Sequence, residues 1–214
     1  MSLTLYFHPL SSFCHKVLIA FYENDVPFET KLLELGAEAE AEFLALWPIG
    51  KMPVLRDEKA DRTIPESTII IEYLAQHYPG PVELVPSDPD LALKARLADR
   101  IFDNYLQLPM QKIVTDRLRP EGECDPHGVA DAKECLKTRY GVVDKSLEGN
   151  IWATGDHFTM ADCAAAPALF YAQKVVPFDP QHQNLQPYLD RLMKRDSFAR
   201  VLREAQPYFD MFPG

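Results

Sequence analysis

Three short stretches of the chain carry residue types that chemistry uses. The first is His8-Pro9-Leu10-Ser11-Ser12-Phe13-Cys14, which closes an apolar, aromatic run (Leu3 to Phe7) and opens a segment of helical spacing. A serine at a helix N-terminus caps it by accepting an N–H from the first turn. The same hydroxyl can donate to an anion such as a thiolate, which the helix dipole also favours. Both readings stand for Ser11 and Ser12. A redox pair at residues 11 to 14 would read C-x-x-C; Ser11 takes the first place, which excludes dithiol–disulfide chemistry there. Cys14 falls on the apolar side with Phe13, Val17 and Leu18, so its thiol is expected inside.

The second stretch is Gly50-Lys51-Met52-Pro53-Val54-Leu55. Pro53 cannot donate to a sheet ladder and belongs at an edge or strand start. A trans edge proline satisfies that. So does a cis bond that turns the Met52 main chain outward to pair with a peptide-like ligand, as an added strand does. The third stretch is Pro65-Glu66-Ser67, opening another helical segment. Ser67 fits a cap or first-turn position, and an acidic side chain is favourable near a helix N-terminus. The same N–H groups can hold a ligand carboxylate, with Glu66 beside them for an ammonium. An α-amino acid group carries both charges. A fourth motif, Thr159-Met160-Ala161-Asp162, has capping-box form and reads as structural, contributing roughly 1 kcal/mol.

The elements that must position these residues fall into two halves. Residues 1–80 read β-α-β-α-β-β-α: strands at Leu3–Phe7, Phe28–Leu33, Met52–Leu55 and Arg62–Ile64, helices at Phe13–Glu23, Ala37–Leu46 (expected exposed) and Ser67–His77, then a stop at Pro79-Gly80-Pro81. This order implies a small mixed sheet with helices packed on it. Residues 81–87 read as a linker. Residues 88–214 read as an all-α bundle, with one long periodic segment from Asp88-Pro89 to about Arg117 and helices over about 128–147, 160–172, 185–195 and 198–205.

The 214 residues suit one or two domains at about 150 residues each, and 47% hydrophobic residues supply a core. Basic minus acidic residues give 22 − 32 = −10 overall, with 6 − 12 = −6 in residues 1–80 and 16 − 20 = −4 in the rest. Both halves repel a phosphate backbone, so general nucleic-acid binding is not expected. No apolar run approaches the roughly 18 residues of a membrane span, and no basic region precedes the short N-terminal apolar stretch. Cys14, Cys124, Cys135 and Cys163 have neither C-x-x-C nor zinc spacing. Reduced thiols in a cytoplasmic protein, and no metal, are the expectation.

In this order and spacing, LTLYFHPLSSFCHKV, NDVPFE, GKMPVL, PESTIIIEYL and GDHFTMADC resemble one family over nearly the whole chain: the cytosolic glutathione transferases. The N-terminal wording is most similar to serine-type members, theta-related or bacterial. The resemblance implies a thioredoxin-like, glutathione-binding domain over 1–80, the linker, and an all-α domain over 88–214 that holds an electrophile. It implies that Ser11 is the catalytic serine and that Pro53 is the cis proline. The Met52 main chain would pair with the cysteinyl unit, Lys51 would meet the glycine end, and Glu66 and Ser67 would hold the γ-glutamyl group.

Ser12 is a neighbouring candidate for the thiol, and Tyr6 matches the strand tyrosine of tyrosine-type classes. Trp47 stands where many relatives carry Asn before Pro. The electrophile site is expected from Leu10 and helix residues Tyr105 to Arg117 with the C-terminal tail; Ile113, Arg117, Phe209 and Phe212 are the candidates. The implied function is conjugation of glutathione to small hydrophobic electrophiles, a detoxifying activity, in a homodimer. Glutathione-dependent peroxidase activity, or glutathione binding without turnover, is the alternative.

Overall fold

The computed structural model describes residues 2–33 and 38–213. The first half runs β1 (Leu3–Phe7), α1 (Ser12–Glu23), β2 (Glu29–Leu32), α2 (Glu38–Leu46), β3 (Val54–Asp57), β4 (Arg62–Pro65) and α3 (Ser67–His77). This is the order expected from the sequence; the expected start of the second helix at Ala37 lies outside the described residues. The strands form one sheet in the order β2-β1-β3-β4. β1 pairs parallel with β2 and antiparallel with β3, and β3 pairs antiparallel with β4. This is a thioredoxin-like sheet.

Strand side chains alternate between faces. Leu3, Leu5, Leu55 and Ile64 join the main core with α1 and α3. Tyr6 and Val54 join a small second cluster with Leu33 and Phe43. Phe43 is thus the anchor that fixes α2 to the sheet, and it is only 3% exposed although that helix reads as polar and exposed in the sequence.

The second half is all helical: α4 (Pro89–Ile101), a π-helical segment (Phe102–Gln107), α5 (Leu108–Asp116), α6 (Pro126–Ser146), α7 (Met160–Val175), α8 (Leu185–Lys194), α9 (Asp196–Ala205) and a closing 3₁₀ segment (Gln206–Met211). Asp88 starts it by accepting the N–H groups of Asp90 and Leu91. The π segment differs from the single long helix expected. Pro109 supplies the reason. Inside a helix its ring crowds the carbonyl four residues back and offers it no N–H. That carbonyl belongs to Tyr105, and Arg139 Nη1 donates to it at 3.0 Å. The helix opens by one residue instead, with the Leu108 N–H donating to the Asp103 carbonyl.

A buried charge cluster joins the two halves. Lys16 of α1, 1% exposed, pairs with Asp99 at 2.5 Å and Asp103 at 2.8 Å and donates to Thr68 Oγ1 at 2.9 Å. Arg100 covers the cluster from the solvent side and pairs with both carboxylates. The side chains come from α1, α3, α4 and the π segment, so this polar joint is shared by the sheet domain and the bundle.

Candidate functional site

β1 ends at Phe7, and a three-residue turn delivers Ser11 to the N-cap of α1, where its Oγ accepts the Cys14 N–H at 3.4 Å. The capping role uses the oxygen and leaves the hydroxyl proton for another acceptor, so the two readings of Ser11 are compatible. His15 braces the turn from inside: its Nε2 donates to the Pro9 carbonyl at 2.5 Å. Burial pushes its pKa down to about 4, so the ring is neutral. Cys14 is buried, and burial pushes its thiol up to about 12, which leaves it inert as a nucleophile.

Beside this turn lies a cavity of about 560 Å³. Ser11, Ser12, Lys51 and Met52 line it from the first domain. Leu10 and Phe13 add apolar surface from the same turn, and Leu108, Met110, Val114, Tyr171 and Phe212 close it from the bundle. A second lobe of about 530 Å³ shares His8, Gly50, Met52 and Met211 with it and extends under α2. A larger cavity of about 640 Å³ sits between α1 and α9 and holds none of the predicted site residues. Its rim groups satisfy one another, since Tyr22 and Arg200 both donate to Glu204.

The Met52–Pro53 bond is cis. Strand β3 begins at Val54, which pairs with Tyr6 and Pro65, so Met52 stands outside the ladder at the cavity wall. Lys51 is exposed at the rim. Glu66 and Ser67 occupy the N-terminus of α3, outside the wall of this cavity. Ser67 is 5% exposed. Glu66 is exposed with φ +70°, a left-handed conformation that costs a non-glycine residue of order 1–3 kcal/mol and recurs at ligand-holding positions.

The remaining candidates divide between the cavity wall and other surroundings. Tyr6 points to the other face of the sheet, where it donates to Glu42 at 2.5 Å with Lys31 over its ring. Burial, then Glu42, hold its phenol above the ordinary range, and it does not line the cavity. Ile113 is core, 1% exposed. Arg117 donates to the Pro213 carbonyl and so tethers the tail, and Phe209 packs beside Phe170; neither lines the cavity, whereas Leu10 and Phe212 do. Trp47 packs with Met52 and the small second cluster.

Gln107 and Tyr171 are polar side chains of the wall that the sequence did not single out, although Gln107 falls in the stretch from Tyr105 to Arg117 expected to form the electrophile site. Gln107 Nε2 donates to Ser12 Oγ, while Gln107 Oε1 and the Tyr171 hydroxyl are buried without a partner among the described residues. Tyr171 was visible only as one position of the helix expected over 160–172, and Gln107 as one polar position in a long helix. Among the described residues no group of three His, Cys, Asp or Glu side chains is arranged to hold a metal ion.

Comparison with known proteins bears on the same regions. Residues 5–82 match the family model described as glutathione S-transferase, N-terminal domain, and residues 106–196 the one for the C-terminal domain. The chain is 30% identical over 204 residues to glutathione S-transferase GstB of Escherichia coli K12, covering 94% of this chain and 97% of that one. It is 27% identical over 207 residues to a stringent starvation protein A homolog of Histophilus somni, covering 96% and 92%. A glutathione S-transferase of Methylobacterium radiotolerans, solved in complex with glutathione sulfonate, superimposes with a TM-score of 0.80 at 27% identity, covering 93% of each chain.

Proposed function

The chain belongs to the glutathione S-transferase family, and on that premise we propose that Ser11 holds the thiolate of bound glutathione for attack on a small hydrophobic electrophile in the adjoining cavity. The protein is a glutathione transferase with glutathione as cosubstrate. One observation carries the proposed site. A hydroxyl that caps a helix N-terminus through its oxygen stands in the wall of a cavity bounded by Met52 on one side and apolar bundle residues on the other.

Free glutathione presents a thiol of pKa ~8.5, only about 3% thiolate at pH 7. A charge-assisted bond from Ser11, with the N-terminal end of α1, supplies the ~2.7 kcal/mol that lowers it by about two units. The thiolate sulfur then bonds to the electrophilic carbon, and the carbon's leaving group, or its π electrons, take the displaced pair. Lys51 meets the glycine end. Met52, kept off the ladder by Pro53, pairs through its main chain with the cysteinyl unit. Glu66 takes the γ-glutamyl ammonium, and Ser67 with the α3 N-terminus takes the carboxylate. The division at 81–87, with the electrophile on the bundle side, belongs to this proposal and fits the cap at Asp88.

Ser11→Ala is expected to act through the thiol's pKa. Thiolate fraction at pH 6.5 falls about fiftyfold for a two-unit rise, while the more basic thiolate gains roughly six- to tenfold in nucleophilicity. The net loss in kcat/KM is about five- to tenfold at pH 6.5, vanishes between about pH 7.5 and 8, and turns into a gain of about fivefold by pH 9, where both thiols are largely ionised. A deficit that stays constant across this range, or none at all, rejects the role.

A second copy of the chain is proposed to pack on α3 and α4. Ile69, Leu93 and Leu97 are 52%, 66% and 61% exposed, on one surface that the Arg96–Glu72 pair ties together. This face straddles both domains, so a twofold axis sets the first domain of one copy against the bundle of the other. Light scattering at micromolar concentration is expected to give a dimer for the wild type and a monomer for Leu97→Glu; a monomeric wild type refutes it. A cytoplasmic location is supported by four cysteines that are all free, and among the described residues no helix is long and apolar enough to cross a membrane.

A further inference from the structure

Gln107 reaches across the domain boundary to the serine turn. It closes the π-helical segment, where the extra residue in the turn rotates everything that follows relative to α4. Its Nε2 donates to Ser12 Oγ, and both residues are buried, at 3% and 8% exposure. A hydroxyl oxygen held by an N–H keeps its own proton. No described residue accepts that proton, and Ser12 lines the cavity beside Ser11.

The other half of the amide is as informative. Gln107 Oε1 is buried and unpartnered, and Gln107 is one of the residues that line the cavity. Turning the amide over would not remove the deficit, because Oε1 would take the Ser12 proton and leave Nε2 unpartnered instead. Only the orientation with Nε2 on Ser12 leaves a proton for an anion in the cavity. Binding of an anion and this amide orientation therefore support each other.

We propose that Ser12 is a second hydroxyl donor to the glutathione thiolate, and that Gln107 is the positioning residue that aims it. This rests on the transferase reading above and adds to it. Ser11 and Ser12 form a two-donor cradle, and the acidity of the bound thiol depends on a side chain from the bundle. The packing of the two domains is thereby coupled to the chemistry of the first. No atom is transferred in this role: each hydroxyl shares its proton with sulfur and keeps it.

The test follows the ultraviolet thiolate absorbance of bound glutathione against pH, in the full-length protein. Ser12→Ala removes the donor; Gln107→Met keeps length and removes the N–H; Gln107→Glu leaves a group that only accepts. The bound thiol is expected to titrate about one unit higher in Ser12→Ala and in Gln107→Met. The double variant Ser12→Ala/Gln107→Met is expected no higher than either single change, because the two act through one bond. Gln107→Glu is expected higher still, since its carboxylate captures the Ser12 proton and adds negative charge. A purely structural role would shift thermal stability and leave the titration in place. An unmoved titration in Ser12→Ala overturns the inference while the transferase reading stands. Additive shifts in the double variant overturn the role of Gln107. A wild type whose bound thiol titrates like free glutathione, or that binds none, overturns the transferase reading and this inference with it.

Discussion

Lys16→Met is expected to lower stability by about 3 kcal/mol at pH 7, read from the urea midpoint at unchanged slope. The lysine lies between two carboxylates that are themselves buried, with Asp99 at 0% and Asp103 at 5% exposure. Removing the cation leaves two like charges in a poorly solvated joint with only Arg100, half in water, to offset them. A surface pair would contribute little; here the loss comes from the uncompensated charges left behind.

The loss depends on pH in a definite direction. Burial, partly offset by Lys16, already holds the Asp103 carboxyl above its ordinary range. A carboxyl raised in the folded state binds its proton more tightly there than in the unfolded chain. Stability therefore falls as pH rises from the unfolded value towards the folded one. Without Lys16 the folded value climbs further, so the deficit of the variant is larger at pH 7 than at pH 5. A loss under about 1 kcal/mol at pH 7, or one equal at both pH values, would show that the joint is not held electrostatically.

The first domain was legible because its signals are local. Leu3–Phe7 is short and aromatic, Pro79-Gly80-Pro81 stops a helix, and the alternation of periods two and 3.6 gives the strand and helix order directly. The helices of the bundle were legible from their apolar repeat, and their ends shifted by only a few residues. What periodicity could not give is a change of helix type inside a continuous repeat. The cue was present at Pro109, whose missing N–H and ring have a fixed consequence four residues upstream; a run of apolar positions hid it.

The site divides in the same way. Ser11, Met52, Pro53, Glu66 and Ser67 stood out because capping and proline chemistry act over a few residues, whereas Lys51 rested on the family resemblance alone. The placing of Tyr6 away from the cavity needed the sheet, since Tyr6 sits on the face that packs against α2. The left-handed Glu66 has no signature in its residue type. Gln107 and Ser12 are 95 positions apart, and nothing local to either announces the other. Ile113 shows the converse: in the segment expected to face the electrophile, the helix turns it into the core.

Asp162 separates a local reading from a structural one by magnitude. As one half of a capping box it would be worth roughly 1 kcal/mol. Its carboxylate does more. Oδ2 accepts the Thr159 N–H at 2.8 Å, completing the box at the start of α7. Oδ1 accepts the Ala153 N–H at 2.8 Å and the Tyr188 hydroxyl at 2.6 Å. The side chain thus fastens the preceding loop and α8 to the most buried helix of the bundle, at 0% exposure. Asp162→Ala strands two main-chain donors and a phenol where water cannot replace the lost acceptor, at about 1–3 kcal/mol for each buried group. A total loss of about 4 kcal/mol is expected from urea unfolding. Asp162→Asn keeps the shape but sets an amide N–H against one of the donors, so it recovers less than half. A loss near 1 kcal/mol in the alanine variant would mean that the cap alone matters. The larger loss would mean that α7, which carries Tyr171 to the cavity wall, owes its placement to this one carboxylate.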